Sequence, residues 1–276
     1  ETARLVVRLG GRGTSCPRGR RRLEVTDQVI PRAMTTEYLS ILAVVAILSV
    51  VQSIFGMGVL VFGTPTLLLM GYDFITALGI LLPASFAISM LQVLSAGSNR
   101  GPVSRFLYLL CLPGIGAGLL LADASRLAPW TNILVGGTLL FSALVRFWSP
   151  SRRLFTVILE KHLPSYHLIM GIIHGLTNLG GALLAILASG INTEKEAIRY
   201  TVAHYYLAFS AIQMLLLATI MGHHDKLVGN LSAAAMAALI YLFVGNRIFI
   251  RTGNQSYNFA LTLFIAVYGI AVMLKF

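Results

Sequence analysis

Apolar residues fall in long runs along this chain, and polar residues collect between the runs. Near-continuous apolar windows cover 38–70, 74–96, 105–122, 130–148, 167–189, 198–221, 227–246 and 257–275. A helix needs about 20 residues to cross the hydrocarbon of a bilayer. The pattern therefore predicts about eight transmembrane helices with short links. The first window is too long for one crossing and too short for two. Gly56, Gly58, Gly63 and Pro65 sit in its second half. They predict a full helix, a glycine-rich break, then a shorter helical or re-entrant piece. Such breaks persist at membrane depth only where they line a cavity or are buried in protein.

Composition narrows the class further. Charged residues make up 11% of the chain, against roughly 25% in an ordinary soluble domain. A soluble enzyme of this size could not cover its surface with so few. Disorder is excluded by the opposite argument, because 57% of the residues are apolar and cannot be left solvated. Cys16 and Cys111 are too few for a disulfide framework or a thiolate metal site. A polytopic membrane protein in contact with lipid remains.

Residues 1–33 differ from the rest. They carry eight arginines against Glu1, Glu24 and Asp27, with glycines and prolines that interrupt any period. They lack the apolar run of a signal peptide. The composition changes at Met34, which suggests that the tail is translated upstream sequence; a basic cytoplasmic arm and an organellar presequence are the alternatives. No aromatic is interleaved among the arginines, so nucleic-acid binding is not expected. With eight spans, the termini share a side with the 97–105, 149–166 and 222–226 loops. That side collects Arg100, Arg105, Arg146, Arg152, Arg153, Lys161, Lys226 and Lys275, against Arg126, Lys195, Arg199, Arg247 and Arg251 opposite. The positive-inside rule then places both termini in the cytoplasm, with the body in the cell membrane.

The second half echoes the first. The stretch Ala87-Ile88-Ser89-Met90-Leu91-Gln92-Val93-Leu94 aligns with Ala208-Phe209-Ser210-Ala211-Ile212-Gln213-Met214-Leu215. Gly56-Met57-Gly58 has its counterpart in Asn178-Leu179-Gly180-Gly181, and Gly71-Tyr72-Asp73 in Gly190-Ile191-Asn192. The expected organisation is an all-α polytopic membrane bundle of two four-helix pseudo-repeats, 34–148 and 167–276. A basic central loop, 149–166, joins them, and a broken or re-entrant segment opens each half. Repeats of this kind usually mean a transporter with its site between the halves.

The polar-glycine breaks that open both halves carry a resemblance. They are Gln52-Ser53-Ile54-Phe55-Gly56-Met57-Gly58 with Gly63-Thr64-Pro65, and His174-Gly175-Leu176-Thr177-Asn178-Leu179-Gly180-Gly181. With the two halves and the basic centre, the chain resembles the sulfite exporter TauE/SafE family of membrane permeases over roughly residues 38–275. The resemblance implies a carrier of sulfite, other sulfur-containing anions or organic acids.

Deep polar residues in a membrane protein usually face the bundle interior or a cavity. Here they are Gln52, Ser53, Gln92, His174, Thr177, Asn178, His204, Ser210 and Gln213. Gln52, Ser53, Gly56, Gly58, His174, Thr177, Asn178, Gly180 and Gly181 sit at the breaks, where freed backbone N–H groups at a helix N-terminus suit an anion. These are the expected substrate-binding residues. They are expected to face each other across the bundle centre, with the halves rocking to give alternating access. No run has an arginine at its centre, so the site is expected to lack one. Interhelical hydrogen bonding is the competing reading, and it is preferred for Gln92 and Gln213. Those two, with Ser210 and His204, form an expected secondary lining. His174 and His204 are the candidates for any proton coupling, because no carboxylate lies deep in a run. His223-His224-Asp225 lies in a loop and does not read as a metal cluster. No phosphate loop, dinucleotide fingerprint or metal-ligand spacing is evident, so no cofactor and no enzymatic activity are expected. An integral membrane enzyme and a non-transporting assembly factor are the alternative functions. The partners are a small anion and the bilayer, with homo-oligomerisation left open.

Overall fold

The computed structural model describes residues 32–124 and 161–275. The tail before Arg32, the 130–148 window and most of the basic central loop lie outside the described residues. Every described element is helical. We number them α1 (Arg32–Phe55), α2 (Val59–Leu69), α3 (Phe74–Leu94) and α4 (a π turn at Leu107–Cys111 running into Leu112–Ala124). After the gap come α5 (Leu163–Thr177), α6 (Gly180–Ile191), α7 (Lys195–Thr219) and the short α8 (His224–Val228). Then α9 runs from Leu231–Ile240 through a π turn, Tyr241–Gly245, into Asn246–Arg251, and α10 is Asn254–Lys275. Among the described residues, four helical stretches are long and apolar enough to cross a membrane: Glu37–Phe55, Phe74–Leu94, Lys195–Thr219 and His224–Arg251. Val59–Leu69, Leu107–Ala122 and Gly180–Ile191 are apolar but shorter. The chain is thus a multi-pass membrane protein.

The two short helices follow the two breaks. At the first, the chain turns through Gly56 (φ 80°), a left-handed conformation that costs glycine little. At the second it turns through Asn178 (φ 64°), the one non-glycine residue with positive φ among those described. Asparagine tolerates this region better than other side chains. α1 with α2, and α5 with α6, therefore form two hairpins rather than two continuous spans.

The first hairpin changes the expected topology. One end of the bundle is marked by Tyr72 donating to Glu37 Oε1 (2.7 Å), by Lys226 Nζ donating to Thr76 Oγ1 (2.7 Å), and by the Tyr38–Ser232 hydroxyl pair. The opposite end is marked by Thr201 Oγ1 donating to Pro102 O (3.2 Å) and by Lys195 Nζ donating to Phe249 O (3.0 Å). α2 returns to the end where α1 begins, so α3 carries the chain away and the 97–105 loop lies at the far end. The expectation that this loop shares a side with the termini is therefore corrected. The cause is the α1–α2 hairpin, which the window treated as one net crossing. Arg100 and Arg105 therefore lie at the far end.

Local chemistry fixes the ends. Asp73 caps α3, accepting from the Thr76 N–H (2.9 Å). Burial works against its charge, but the Thr76 hydroxyl and N–H and the nearby Lys226 outweigh that and hold its carboxyl below the usual range. Lys195 caps the end of α9 by donating to the Phe249, Ile250 and Thr252 carbonyls. In the interior, α4 and α5 make the most extensive helix contact of the bundle, through glycines. A Cβ on Gly171 would stand 2.2 Å from Cys111 O, and one on Gly175 would stand 2.2 Å from Ile115 O. Backbone touches backbone there, as small residues permit in membrane bundles.

Candidate functional site

The expected site residues divide into two groups. The first surrounds the end of α1. Gln52 is fully buried and faces α3, where its Nε2 donates to Ser85 O (3.0 Å), Ser85 Oγ (3.0 Å) and Ser89 Oγ (3.1 Å). Its Oε1 accepts from the Val59 N–H (3.0 Å), capping the start of α2. Gln92 Nε2 donates to Gln52 O (2.9 Å), which also accepts from the Gly56 N–H (2.8 Å), and to Ser53 O (3.0 Å) at the end of α1. Ser53 Oγ donates to Ser49 O. Gly58 lets the chain pass close to Gln52, since a Cβ there would stand 2.7 Å from its backbone nitrogen. The polar groups of the first break therefore largely satisfy one another.

One charge stands beside them. Arg199, on the second turn of α7, donates to Ser53 O (3.3 Å) and Asn246 Oδ1 (3.1 Å). Its guanidinium carbon lies 3.5 Å from the centroid of the Phe249 ring. A Cβ on Gly56 would meet Arg199 O at 3.0 Å, so the turn at Gly56 is what lets α7 approach. The π turn in α9 seats Gly245 on Ser53, in keeping with the frequent use of π turns at functional sites. No carboxylate lies within ion-pair distance of Arg199 among the described residues. A cavity of about 260 Å³ opens beside it, lined among others by Gln92, Ser95, Ser98, Asn99, Glu196 and Tyr200. Gln92 is buried and Ser98 and Asn99 are exposed, so the cavity runs from the first break to the far end of the bundle.

The second group surrounds Asn178. Its Nδ2 donates to Thr64 Oγ1 on α2 (2.9 Å), and its Oδ1 accepts from Gln213 Nε2 on α7 (3.1 Å). Thr177 Oγ1 donates to Ile173 O and accepts from the Leu179 N–H. His174 packs on Phe209, with ring centroids 4.4 Å apart. Gly180 lies against the His174 Cβ, and Gly181 lies against the Tyr206 hydroxyl and Val61. The two hairpins therefore do meet, through Asn178–Thr64 and Gly181–Val61. The breaks themselves sit at different depths. The first touches α7 at Val202 and the second at Gln213, about 17 Å apart at 1.5 Å per residue.

Ser210 and His204 belong to neither group. Ser210 Oγ donates back to Tyr206 O. His204 is half-buried and pairs with the Tyr108 hydroxyl (2.7 Å). Among the described residues no cluster of three potential metal ligands occurs.

A family model, Sulfite exporter TauE/SafE, matches residues 41–272. The chain belongs to that family. No curated protein and no solved structure matches it. TauE/SafE is a membrane transporter family, and the match includes the residues of both breaks and of the cavity. Arg199, which the sequence did not single out, lines this cavity. It lies just inside the edge of an apolar run, where it reads as a flanking charge. Tyr206, Thr64 and Ser85 were also missed. The pairs Ser89/Ser210 and Gln92/Gln213 were visible signals, and Ser85 stands one turn before Ser89 on the same face.

Proposed function

We propose that this protein is a permease that carries a small sulfur oxyanion or organic sulfonate across the cell membrane by alternating access. The observation that carries the reading is Arg199, a guanidinium with no carboxylate partner among the described residues, beside a polar cavity that opens at one end of the bundle. A carrier of anions needs a positive group that is not already neutralised, and a planar guanidinium matches the oxygens of sulfite or a sulfonate. Arg100, Arg105, Arg247 and Arg251 lie toward the same end and raise the local concentration of anions there. Glu196 also lines the cavity, but Lys195 pairs with it at 3.5 Å.

The two hairpins extend the reading. α1–α2–α3 and α5–α6–α7 follow the same order and start from opposite ends of the bundle. That is the arrangement of an inverted repeat, in which broken helices meet near the middle.

The test is uptake by proteoliposomes of purified protein. Sulfite, sulfate, methanesulfonate and acetate are supplied in turn, with empty liposomes as the control. Saturable uptake of at least one sulfur anion is expected. Uptake of all four at the rate of empty liposomes would refute transport. The junction of the hairpins gives a second expectation. Asn178→Gly keeps the left-handed turn but removes the amide that ties Thr64 to Gln213. The transport rate should fall about tenfold, the equivalent of about 1.4 kcal/mol, at unchanged membrane abundance. A wild-type rate in this variant would make the Asn178 bridge a packing feature only.

A further inference from the structure

At the second break, polar groups on three side chains are enclosed without a hydrogen-bond partner. They are both ring nitrogens of His174, the Tyr206 hydroxyl and Gln213 Oε1. All three residues are fully buried. Buried polar groups in folded proteins are nearly always paired. His174 is on α5 and Tyr206 and Gln213 are on α7, and several such groups at one break mark a site whose partner comes from outside the chain.

The surroundings say what that partner is. The Tyr206 hydroxyl lies 1.6 Å from where a Cβ on Gly181 would stand, so it rests on the first turn of α6. α6 has 12 residues. Its first N–H groups, from Gly180 and Gly181, have no carbonyl a turn earlier to accept them, and they carry the positive end of the helix dipole. The His174 ring stands over the same turn, because a Cβ on Gly180 would meet the His174 Cβ at 2.5 Å. Gln213 reaches the same break from α7, where its Nε2 donates to Asn178 Oδ1 (3.1 Å). The site thus offers hydrogen-bond donors at the start of α6 and one unpaired acceptor, Gln213 Oε1.

No charge balances an anion there. Around the second break, α2 presents Val61 and Thr64, α4 presents Ile115 and Leu119, and α7 presents Tyr206, Phe209 and Gln213. Tyr206 is the only other titratable group in that set. An uncompensated anion in a dry interior is costly. Among the described residues at this break, the imidazole is the one group that can become positive.

We propose that the second break is a deep anion station completed by a proton on His174, so that one proton travels with each anion. The proposal rests on the transport reading above. A proton from the aqueous side adds to an unprotonated ring nitrogen. The imidazolium then donates one N–H to Gln213 Oε1 and the other to an anion oxygen. The Tyr206 hydroxyl and the Gly180 and Gly181 N–H groups donate to the remaining oxygens. When the anion leaves, the ring returns the proton to the side that receives the anion. Arg199 keeps its charge throughout, so the outer cavity accepts anions without a proton and the deep station does not.

The experiment uses full-length protein in proteoliposomes that contain a pH-reporting dye. The probe is radiolabelled methanesulfonate, which stays anionic over the working pH range, so any proton that moves is carried by the protein. For the wild type, about one proton should enter per anion, and an inward proton gradient should drive accumulation. His174→Gln should abolish proton movement and lower gradient-driven accumulation at least tenfold. Tyr206→Phe removes one donor and no titrating group. It should weaken apparent affinity severalfold at an unchanged ratio, and it tests the station should His174→Gln fail to fold. Methanesulfonate uptake by the wild type without proton entry would overturn the proposal, as would proton entry that survives in His174→Gln. If the wild type moves neither methanesulfonate nor sulfite, the transport reading has failed, and this inference falls with it.

Discussion

Arg199→Gln should lower anion transport by on the order of 100-fold, mostly through apparent affinity. The guanidinium is stacked on Phe249 and tied by donated hydrogen bonds to Ser53 O and Asn246 Oδ1. It is therefore held in place before an anion arrives. Removing one partner of a desolvated ion pair costs about 3 kcal/mol or more, and every 1.4 kcal/mol is about tenfold in affinity. Glutamine keeps a polar, hydrogen-bonding end, so the first break retains most of its packing while the charge is lost. Arg199→Lys should recover part of the activity, because it restores charge without the planar fork. Asn246→Ala supplies the control for a purely structural effect. It removes one tether but no charge, and it should cost much less than Arg199→Gln. Initial rates over a range of anion concentrations, at matched membrane abundance, decide the matter. Wild-type rate and affinity in Arg199→Gln would remove the cavity from the transport path.

Gly175→Val should reduce the amount of folded protein more than any substitution at the breaks. The new Cβ would stand 2.2 Å from Ile115 O and 2.7 Å from Leu119 N. Both neighbours are backbone atoms within α4, and neither can rotate away as a side chain would. Overpacking of this kind costs about 3 kcal/mol, which in a chain of this size corresponds to a fall of about 10 °C in melting temperature. Gly116 provides the contrast. Its nearest neighbour would be Leu216 Cδ1 at 3.5 Å, ordinary van der Waals contact. Gly116→Ala should therefore be silent. Thermal unfolding in detergent, followed by the loss of monodisperse protein, measures both. Equal stability of the two variants would show that the α4–α5 seam yields.

The breaks were legible in the sequence because glycine and asparagine within an apolar run have few other uses. The class of protein was legible for a similar reason, since so few charges over so many apolar residues leave a single solvent. The direction in which the chain leaves each break was not legible. Hydropathy records how far a segment is apolar, not whether it turns back, so the 38–70 window concealed a hairpin. Arg199 was hidden by a related ambiguity. A cation near the end of an apolar run usually reaches toward water, and only the approach of Ser53, Asn246 and Phe249 shows that this one turns inward. The serines facing Gln52 were half visible, through the echo of Ser89 and Gln92 in Ser210 and Gln213. The tertiary pairing of Asn178 with Thr64 spans 114 residues, and no local period reports on it.

The α4–α5 seam joins the two halves of the chain, and it is the contact with the least slack. α4 is the last described helix of the first half and α5 opens the second, and their backbones meet without a side chain between them. Two bodies locked along such a line cannot separate there without losing contact over the whole seam. It behaves as the spine of the molecule, and the freedom to rearrange is left to the parts farthest from it in design: two half-length helices, each hung from a single turn.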